Sequence, residues 1–363
     1  MTEYAPLALS ASLVGIHGLN FALSLAATLL DQQMHARGGS ARQMLWTGGA
    51  LLALVCYGSA WGHLDTFYQR DIQRTAPQRE LAVGCVLAPA QAAGAEAWML
   101  AQTAQRLAAG DGLVLWSEAA LRLPDSAAEA ALLARVADMQ AAANASAFVG
   151  LTFLQAQANV NMFVLLAPDS SVAWRYQKAH PVPFVGDGAP GPAALPVVDA
   201  PGIGRLSGAI CFDMDFPGYL RQAGGRRADL LLQPSNTWGP IGAYHFADNA
   251  LRAVEGGFTH VRCSSGGFSG VATPFYSFVH RAASLNHRAL SFSVPLRRAV
   301  WTPYAHGGFL LEWAVAGAAV LLWGVMAMPR RLLERHLPRA AARLLWPVQS
   351  EPPHEEPPAT EEG

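Results

Sequence analysis

The chain is poor in charge. Asp, Glu, Lys and Arg supply 14% of its 363 residues, against about a quarter in an ordinary soluble domain. Its 25 basic and 26 acidic side chains leave a formal net charge of -1, so no strong field is available to hold a polyanion, and nucleic-acid binding loses its basis. Only four cysteines occur, Cys56, Cys85, Cys211 and Cys263, and none forms a CxxC pair. That spacing excludes a zinc ribbon, a thioredoxin-type site and a dense disulfide framework. A GxSxG elbow, an HExxH helix and a P-loop are also missing, and Gly202-Ile-Gly-Arg-Leu-Ser-Gly208 has the wrong spacing for a dinucleotide fingerprint. Serine hydrolase, zincin and nucleotide enzyme are set aside on those grounds.

What the chain does have is apolar sequence, 52% by composition with a mean hydropathy of +0.20, which excludes disorder and points to a membrane. Residues 7–30 form an uncharged run of 24, residues 44–61 one of 18, and residues 309–328 a run of 20 with Glu312 as its one charge. At 1.5 Å per residue each approaches or exceeds the length needed to cross a bilayer core, so three spans are expected, two before the middle segment and one after it. The opening residues 1–6 carry Glu3 and no Lys or Arg, unlike a cleavable signal peptide, so the first span is expected to stay in the protein. Glu312 lies close to the start of the third run and reaches interfacial water; Trp301, Tyr304 and Trp313 fit an interfacial aromatic belt. Arg37 and Arg42 between the first two spans, and Arg330, Arg331, Arg335, Arg339 and Arg343 after the third, set the orientation. The positive-inside rule puts both groups in the cytoplasm and the middle segment on the other side, the periplasm of a bacterium. Residues 351–363, with five Glu and four Pro, read as a solvated cytoplasmic tail. The resulting layout is 1–62 for two membrane helices, 63–80 for a connector, 81–304 for a catalytic domain, 305–329 for a last membrane helix and 330–363 for the tail. The localisation expected is a multi-pass protein of the bacterial inner membrane with a periplasmic catalytic domain.

Between the spans, short apolar runs alternate with helical stretches, an α/β pattern. Strands are expected at 81–87, 112–116, 147–153, 162–167, 172–176, 206–211, 229–232 and 259–264. Helices are expected at 95–109, at 127–143, opened by Ser126 and Glu129 at capping-box spacing, and at about 244–255. The Gly/Pro-rich stretch 185–196 reads as a mobile loop. Cys85 and Cys263 fall inside apolar strand candidates and read as two buried thiols, with a disulfide as the alternative open to a periplasmic domain.

Three reactive side chains sit at the ends of strand candidates: Glu118 in Leu113-Val-Leu-Trp-Ser-Glu118, Lys178 in Trp174-Arg-Tyr-Gln-Lys178, and Cys211 in Leu206-Ser-Gly-Ala-Ile-Cys211. Strand ends hold side chains rigidly at a crevice. A carboxylate can take the thiol proton, and an ammonium can stabilise both thiolate and oxyanion. Taken singly, a Cys ending a strand is more often a small buried hydrophobe, and a lone Glu or Lys there a solvated end.

The surrounding sequence alters those odds. These three stretches, with Ala228-Asp-Leu-Leu-Leu-Gln-Pro-Ser235, Leu251-Arg-Ala-Val-Glu-Gly256 and the glycine-rich turn near Gly266, resemble the carbon-nitrogen hydrolase (nitrilase) superfamily. Ser235-Asn-Thr-Trp238, His180 two residues after the lysine, Thr302-Pro-Tyr-Ala305 before the last span and Leu13-Val-Gly-Ile-His-Gly-Leu-Asn-Phe21 are similar to its apolipoprotein N-acyltransferase branch. The resemblance implies an α-β-β-α sandwich flanked by transmembrane helices and a Glu118-Lys178-Cys211 triad. It also implies a phospholipid acyl donor, a lipoprotein acceptor, the membrane as a partner, and no metal or organic cofactor. A membrane-tethered amidase or nitrilase using the same triad is the second reading, and an inactive lipoprotein-binding relative the third.

Departures from the branch are also visible. Its members carry more membrane helices before this point, so the chain reads as N-terminally shortened, with a partner as one source of the missing helices. Its second essential Glu, eight residues after the lysine, is replaced by Gly186 with Asp187 beside it. Its Tyr-Glu after the cysteine is Phe212-Asp213 here, so a supporting hydrogen bond is expected to be lost, and its later Thr-Asn is replaced by Ser264-Ser265 or the adjoining glycines. Asp187, Phe212, Asp213, His180, Asn236 and Trp238 are therefore the expected supporting residues, His180 as a structural hydrogen-bonding group.

Overall fold

A computed structural model describes residues 5–35, 41–75, 79–88, 94–238, 241–284 and 289–327. Arg37, the arginines from Arg330 to Arg343 and the acidic tail, on which the orientation rests, lie outside the described residues. The chain divides into two compact units, Met1–Phe309 and Leu310–Gly363, and in the second the described residues continue a helix begun in the first.

The first unit opens with helices α1 (Ala5–Leu9), α2 (Ala11–His35) and α3 (Ala41–Thr75). An α/β region follows, in the order β1 (Glu80–Val86), α4 (Ala95–Ala108), β2 (Leu113–Trp116), β3 (Leu121–Leu123), α5 (Ser126–Ala142), β4 (Phe148–Gln155), β5 (Val160–Leu166) and β6 (Val172–Gln177). Its second half runs β7 (Val197–Ala200), β8 (Gly204–Gly208), α6 (Pro217–Gly225), β9 (Leu230–Asn236), α7 (Gly242–Gly256), β10 (Thr259–Ser265), β11 (Gly267–Ala272), β12 (Phe278–Ser284) and β13 (Ala289–Pro295). Helix α8 (Pro303–Ala327) closes the described chain.

Among the described residues the strands form two sheets. A seven-stranded one has the order β13-β1-β2-β4-β5-β6 with β3 on β4, and a six-stranded one the order β12-β11-β10-β9-β8-β7. Period-two alternation decides what each strand face buries. In β1, Val83 and Cys85 join Leu115, Phe163, Leu206, Leu231, Val261 and Cys263 in a core between the sheets. Val86, Val114 and Trp116 face the other way, onto Met99 and Leu107 of α4 and Leu132 and Val136 of α5. Helix α4 buries Met99, Thr103 and Leu107 at four-residue spacing, one stripe of a helix facing a sheet. With α7 against β10 and β11 of the second sheet and α6 packed on α7, the layers are α-β-β-α.

All eight expected strands are present within a few residues, with one consequential exception: the strand expected at 206–211 ends at Gly208, and Cys211 opens a 3-10 turn instead. The five unexpected strands, β3, β7, β11, β12 and β13, are short or rich in Ser, Gly, Ala, Arg and His, and lack an apolar run. Helix α5 is capped by Asp125, whose carboxylate accepts from Ala128 N, so Ser126 is the first helical residue and not the cap. The expectation of two separate buried thiols is overturned: Cys85 and Cys263 form a disulfide across the inter-sheet core, with a Cα separation of 5.6 Å. Each lies on an inward-facing strand position, and which strands face one another is set by topology, which the local pattern does not report.

Among the described residues, one helical window, Ala11–Thr28 of α2, is long and apolar enough to cross a membrane. Its helix is broken at Gly15, whose φ of 65° is left-handed and whose missing Cβ makes room for Tyr304; a Cβ there would sit 2.2 Å from the ring. The break frees the Ile16 N–H, which donates to Glu255 of α7 at 2.7 Å. Leu9, Leu19 and Trp61 pack there on Val254 and Phe275, which fixes these helices to the sandwich.

Candidate active site

Strands β2 and β6 of the first sheet and β8 and β9 of the second all end at one edge of the sandwich, bringing Glu118, Lys178, Cys211 and Asn236 to one crevice. Glu118 is buried and holds three donors: Lys178 Nζ at 2.7 Å and Asn161 Nδ2 at 3.0 Å on Oε1, and the Asn236 backbone N–H at 2.9 Å on Oε2. Its own N–H donates to Ser235 O, tying the two sheets together.

Lys178 is buried to 1% exposure and sits between two carboxylates, Glu118 and Asp187. Burial opposes its charge, but Glu118, the Cys211 thiolate and Asp187 outweigh it, so its ammonium is held above the usual lysine range. Asp187 also accepts from Asn161 Nδ2 and from the Val182 N–H. The carboxylate expected eight residues after the lysine is thus supplied one residue later. Gly186 itself has a φ of 71°, a backbone shape that an L side chain rarely adopts.

Cys211 is a non-glycine residue at a φ of 43°, a local strain that its surroundings hold in place. Gln233 Nε2 donates to its carbonyl at 3.1 Å, and the Asp213 carboxylate accepts from the Ile210 N–H at 3.0 Å just before it. Its sulfur receives the Ser235 hydroxyl at 3.1 Å and lies 3.7 Å from Asn236 O. Asn236 therefore serves through its backbone, N–H toward Glu118 and carbonyl toward the thiol. Burial, then the Glu118 charge, push the Cys211 thiol up to about 12, while Lys178, Arg262 and the Ser235 hydrogen bond pull it down.

The supporting residues separate into two places. Asp213 is buried beneath the turn, where it accepts from Tyr176 Oη at 2.7 Å, from the His180 backbone N–H at 2.8 Å, and pairs with His180 Nδ1 at 3.0 Å. Phe212 brings no hydroxyl to this carboxylate, and the phenolic donor that reaches it is Tyr176. His180 also stacks on Phe216, with ring centroids 3.9 Å apart, which is a structural placement. Phe212 and Trp238 line the cavity above the triad, Trp238 on its exposed rim. That cavity measures about 1020 Å³ and reaches Glu118, Lys178 and Cys211 at its base. Val185 and Ile241 line it as well and are exposed, as are their neighbours Phe184 and Tyr244.

Residues outside the sequence expectation complete the site. Asn161 bridges Glu118 and Asp187, and its signal is a lone buried amide in the apolar run of β5, which needs partners. Arg262 is fully buried behind Cys211; a charge inside the apolar strand β10 is the corresponding signal.

A layered sandwich with Glu, Lys and Cys at one edge of both sheets is a nitrilase-type fold. A variant of the Nesterenkonia AN1 amidase, of the nitrilase superfamily, superimposes with a TM-score of 0.54 at 18% identity over 65% of this chain and 97% of that one. The carbon-nitrogen hydrolase family matches residues 68–284, and the chain belongs to that family. Apolipoprotein N-acyltransferase of Azotobacter vinelandii is 32% identical over 163 residues, 43% of this chain and 30% of its own length. Formamidase of Bacillus cereus is 28% identical over 118 residues, 32% of this chain and 35% of its own. The chain thus spans about a third of the length of the curated relatives it matches.

Proposed function

We propose that the protein is a membrane-anchored N-acyltransferase that moves a fatty acyl chain from a phospholipid, through a Cys211 thioester, to the N-terminal amine of a diacylglyceryl-cysteine lipoprotein. The observation that carries this reading is the cavity. At about 1020 Å³ it stands at the upper end of ordinary ligand pockets, and the exposed apolar side chains Val185, Trp238 and Ile241 line it beside Arg122 and Asn236. Helix α2 of the same unit carries a window long and apolar enough to cross a membrane, and likeness to the Azotobacter vinelandii enzyme supports the same activity.

In this reading Cys211 attacks the ester carbonyl while its proton passes to Glu118, and the oxyanion forms beside the Lys178 ammonium. The adduct collapses to the thioester as Glu118 returns the proton to the departing lysophospholipid oxygen. The acceptor amine then attacks the thioester, Glu118 takes its proton, and the amide forms as Cys211 recovers its hydrogen. A resting thiol near 12 keeps the sulfur protonated until a carbonyl is bound beside Glu118. The localisation follows: the inner membrane of a bacterium, several spans, with the catalytic domain in the periplasm, where the Cys85–Cys263 disulfide is chemically stable.

Incubation with phospholipid and no acceptor tests the reading. One fatty-acyl mass is expected on Cys211, removable by neutral hydroxylamine. The second reading, a tethered amidase, is favoured by likeness to the Bacillus cereus formamidase. It takes over if no adduct forms while small amides are turned over.

A further inference from the structure

Arg262 is buried completely, yet it has no ion-pair partner among the described residues; its guanidinium donates instead to Gln233 Oε1 at 2.9 Å, Asn249 Oδ1 at 2.7 Å, Phe268 O at 3.1 Å, Thr237 Oγ1 at 2.6 Å and His245 Nδ1 at 3.2 Å. Because arginine can only donate, each atom it touches must accept. His245 must accept at Nδ1 and carry its proton on Nε2, which then donates to Asp215 at 3.1 Å. Thr237 must accept at Oγ1, so its own hydrogen is free to donate, and Ser235 Oγ at 3.2 Å is nearer than His245 Nδ1 or Ser264 Oγ, each at 3.4 Å. Ser235 in turn spends its hydrogen on Cys211 Sγ at 3.1 Å.

We propose that Arg262 is a positioning residue for the nucleophile: through the aligned hydroxyls of Thr237 and Ser235 it presents a cation-polarised donor to Cys211 Sγ, which favours the thiolate over the thiol. The inference rests on Cys211 being the nucleophile of the proposed function. A hydrogen bond that strengthens as its acceptor gains charge is worth more to the thiolate than to the thiol, and a low-dielectric interior preserves the effect along the chain. The charges facing the sulfur are Glu118, which opposes the thiolate, and Lys178 and Arg262, which favour it. Those facing Arg262 are Cys211, Glu118 and Asp215, with the ring of His245 in contact and that of His260 held well below the usual histidine range by burial. Burial draws Arg262 down to about 10, against the pull of the sulfur, Glu118 and Asp215, so it stays cationic at neutral pH.

The test is the iodoacetamide alkylation rate of Cys211 in the full-length protein at fixed mildly alkaline pH, read by peptide mass spectrometry so that Cys56 does not interfere. Thr237→Val keeps the shape and removes the relay hydroxyl; alkylation is expected to slow roughly ten- to hundredfold, the equivalent of one to two pH units in the thiol. Thr237→Ser keeps the hydroxyl and should retain the wild-type rate. Arg262→Lys should stay faster than Arg262→Gln, and if both variants fail to fold, the Thr237 pair decides. A Thr237→Val protein that alkylates as fast as wild type, or a Thr237→Ser protein as slow as Thr237→Val, overturns the relay. The acyl adduct is an independent readout. If wild type never forms it but Thr237→Val still slows alkylation, the proposed function falls alone; if the adduct forms and alkylation is indifferent to Thr237, the relay falls alone.

Discussion

The two sheets furnish the site by opposite means. The first contributes Glu118, Asn161 and Lys178, and the loop after it Asp187, so two carboxylates and one ammonium are buried in direct contact. The second contributes Cys211, Ser235, Thr237 and Arg262, where one buried cation touches only neutral acceptors. A charge is tolerated in an interior when it is paired or fully hydrogen-bonded, and the halves show one solution each. The difference follows the chemistry. In the proposed reaction the first half holds a base and an oxyanion partner that are both charged at rest, whereas the second holds a sulfur that is neutral at rest and charged only briefly.

The comparison breaks most completely where one group per half is removed. Cys211→Ala and Glu118→Ala should each abolish the acyl adduct in intact-mass measurements, since one removes the nucleophile and the other the base that takes its proton. Lys178→Ala should slow acylation by about a hundredfold or more, as for loss of an oxyanion donor. It also leaves Glu118 and Asp187 buried without their cation, so a thermal-unfolding control belongs with the rate. Asp187→Asn should cost less, about tenfold in acylation rate, because Glu118 still holds the ammonium through a charge-assisted hydrogen bond. Gly186→Glu, which restores the branch's carboxylate position, should not raise the rate of wild type. The backbone at φ 71° resists it, and Asp187 already occupies the lysine.

These effects also mark which half of the site was legible in the sequence. Glu118, Lys178 and Cys211 stand out because each follows a recognisable apolar run, and a strand end fixes a side chain whatever the neighbouring topology. Asp187 was legible only as a neighbour of Gly186, since a one-residue offset in a loop has no periodicity to betray it. The Arg262 relay was not legible, because it depends on β9 and β10 pairing in parallel with Ser235 opposite Ser264, and register is a non-local property. The same reason hid the disulfide: Cys85 and Cys263 are 178 residues apart and meet only because their strands face each other across the core. Strands such as β12, with Arg281 and exposed alanines, form because an edge position needs few apolar contacts, which a search for apolar runs does not detect.

The smallest effect sharpens the comparison from beneath the Cys211 turn. Among the described residues Asp213 touches no Lys or Arg, and its carboxylate is held by Tyr176, the Ile210 N–H and His180. Burial raises its pKa above the usual carboxylate value despite the donors from Tyr176, His180 and Ile210, which each favour the ionised form. A carboxyl whose folded value lies above its unfolded value binds protons more readily when folded. Its contribution to stability is therefore largest below the unfolded value near 4 and declines as pH rises through the folded one. Tyr176→Phe removes a donor that serves the carboxylate most, so the variant should lose about 2 kcal/mol near neutral pH, typical of a hydrogen bond to a charged group. The deficit should shrink as pH falls toward 4, where a protonated Asp213 no longer needs that donor. Acylation by the folded variant should stay within about threefold of wild type, because Tyr176 reaches the thiol only through the backbone of the turn. Paired denaturant titrations of wild type and variant at the two pH values decide it: a deficit that is equal at both, or larger in acid, means that Asp213 is already protonated in the folded protein at neutral pH.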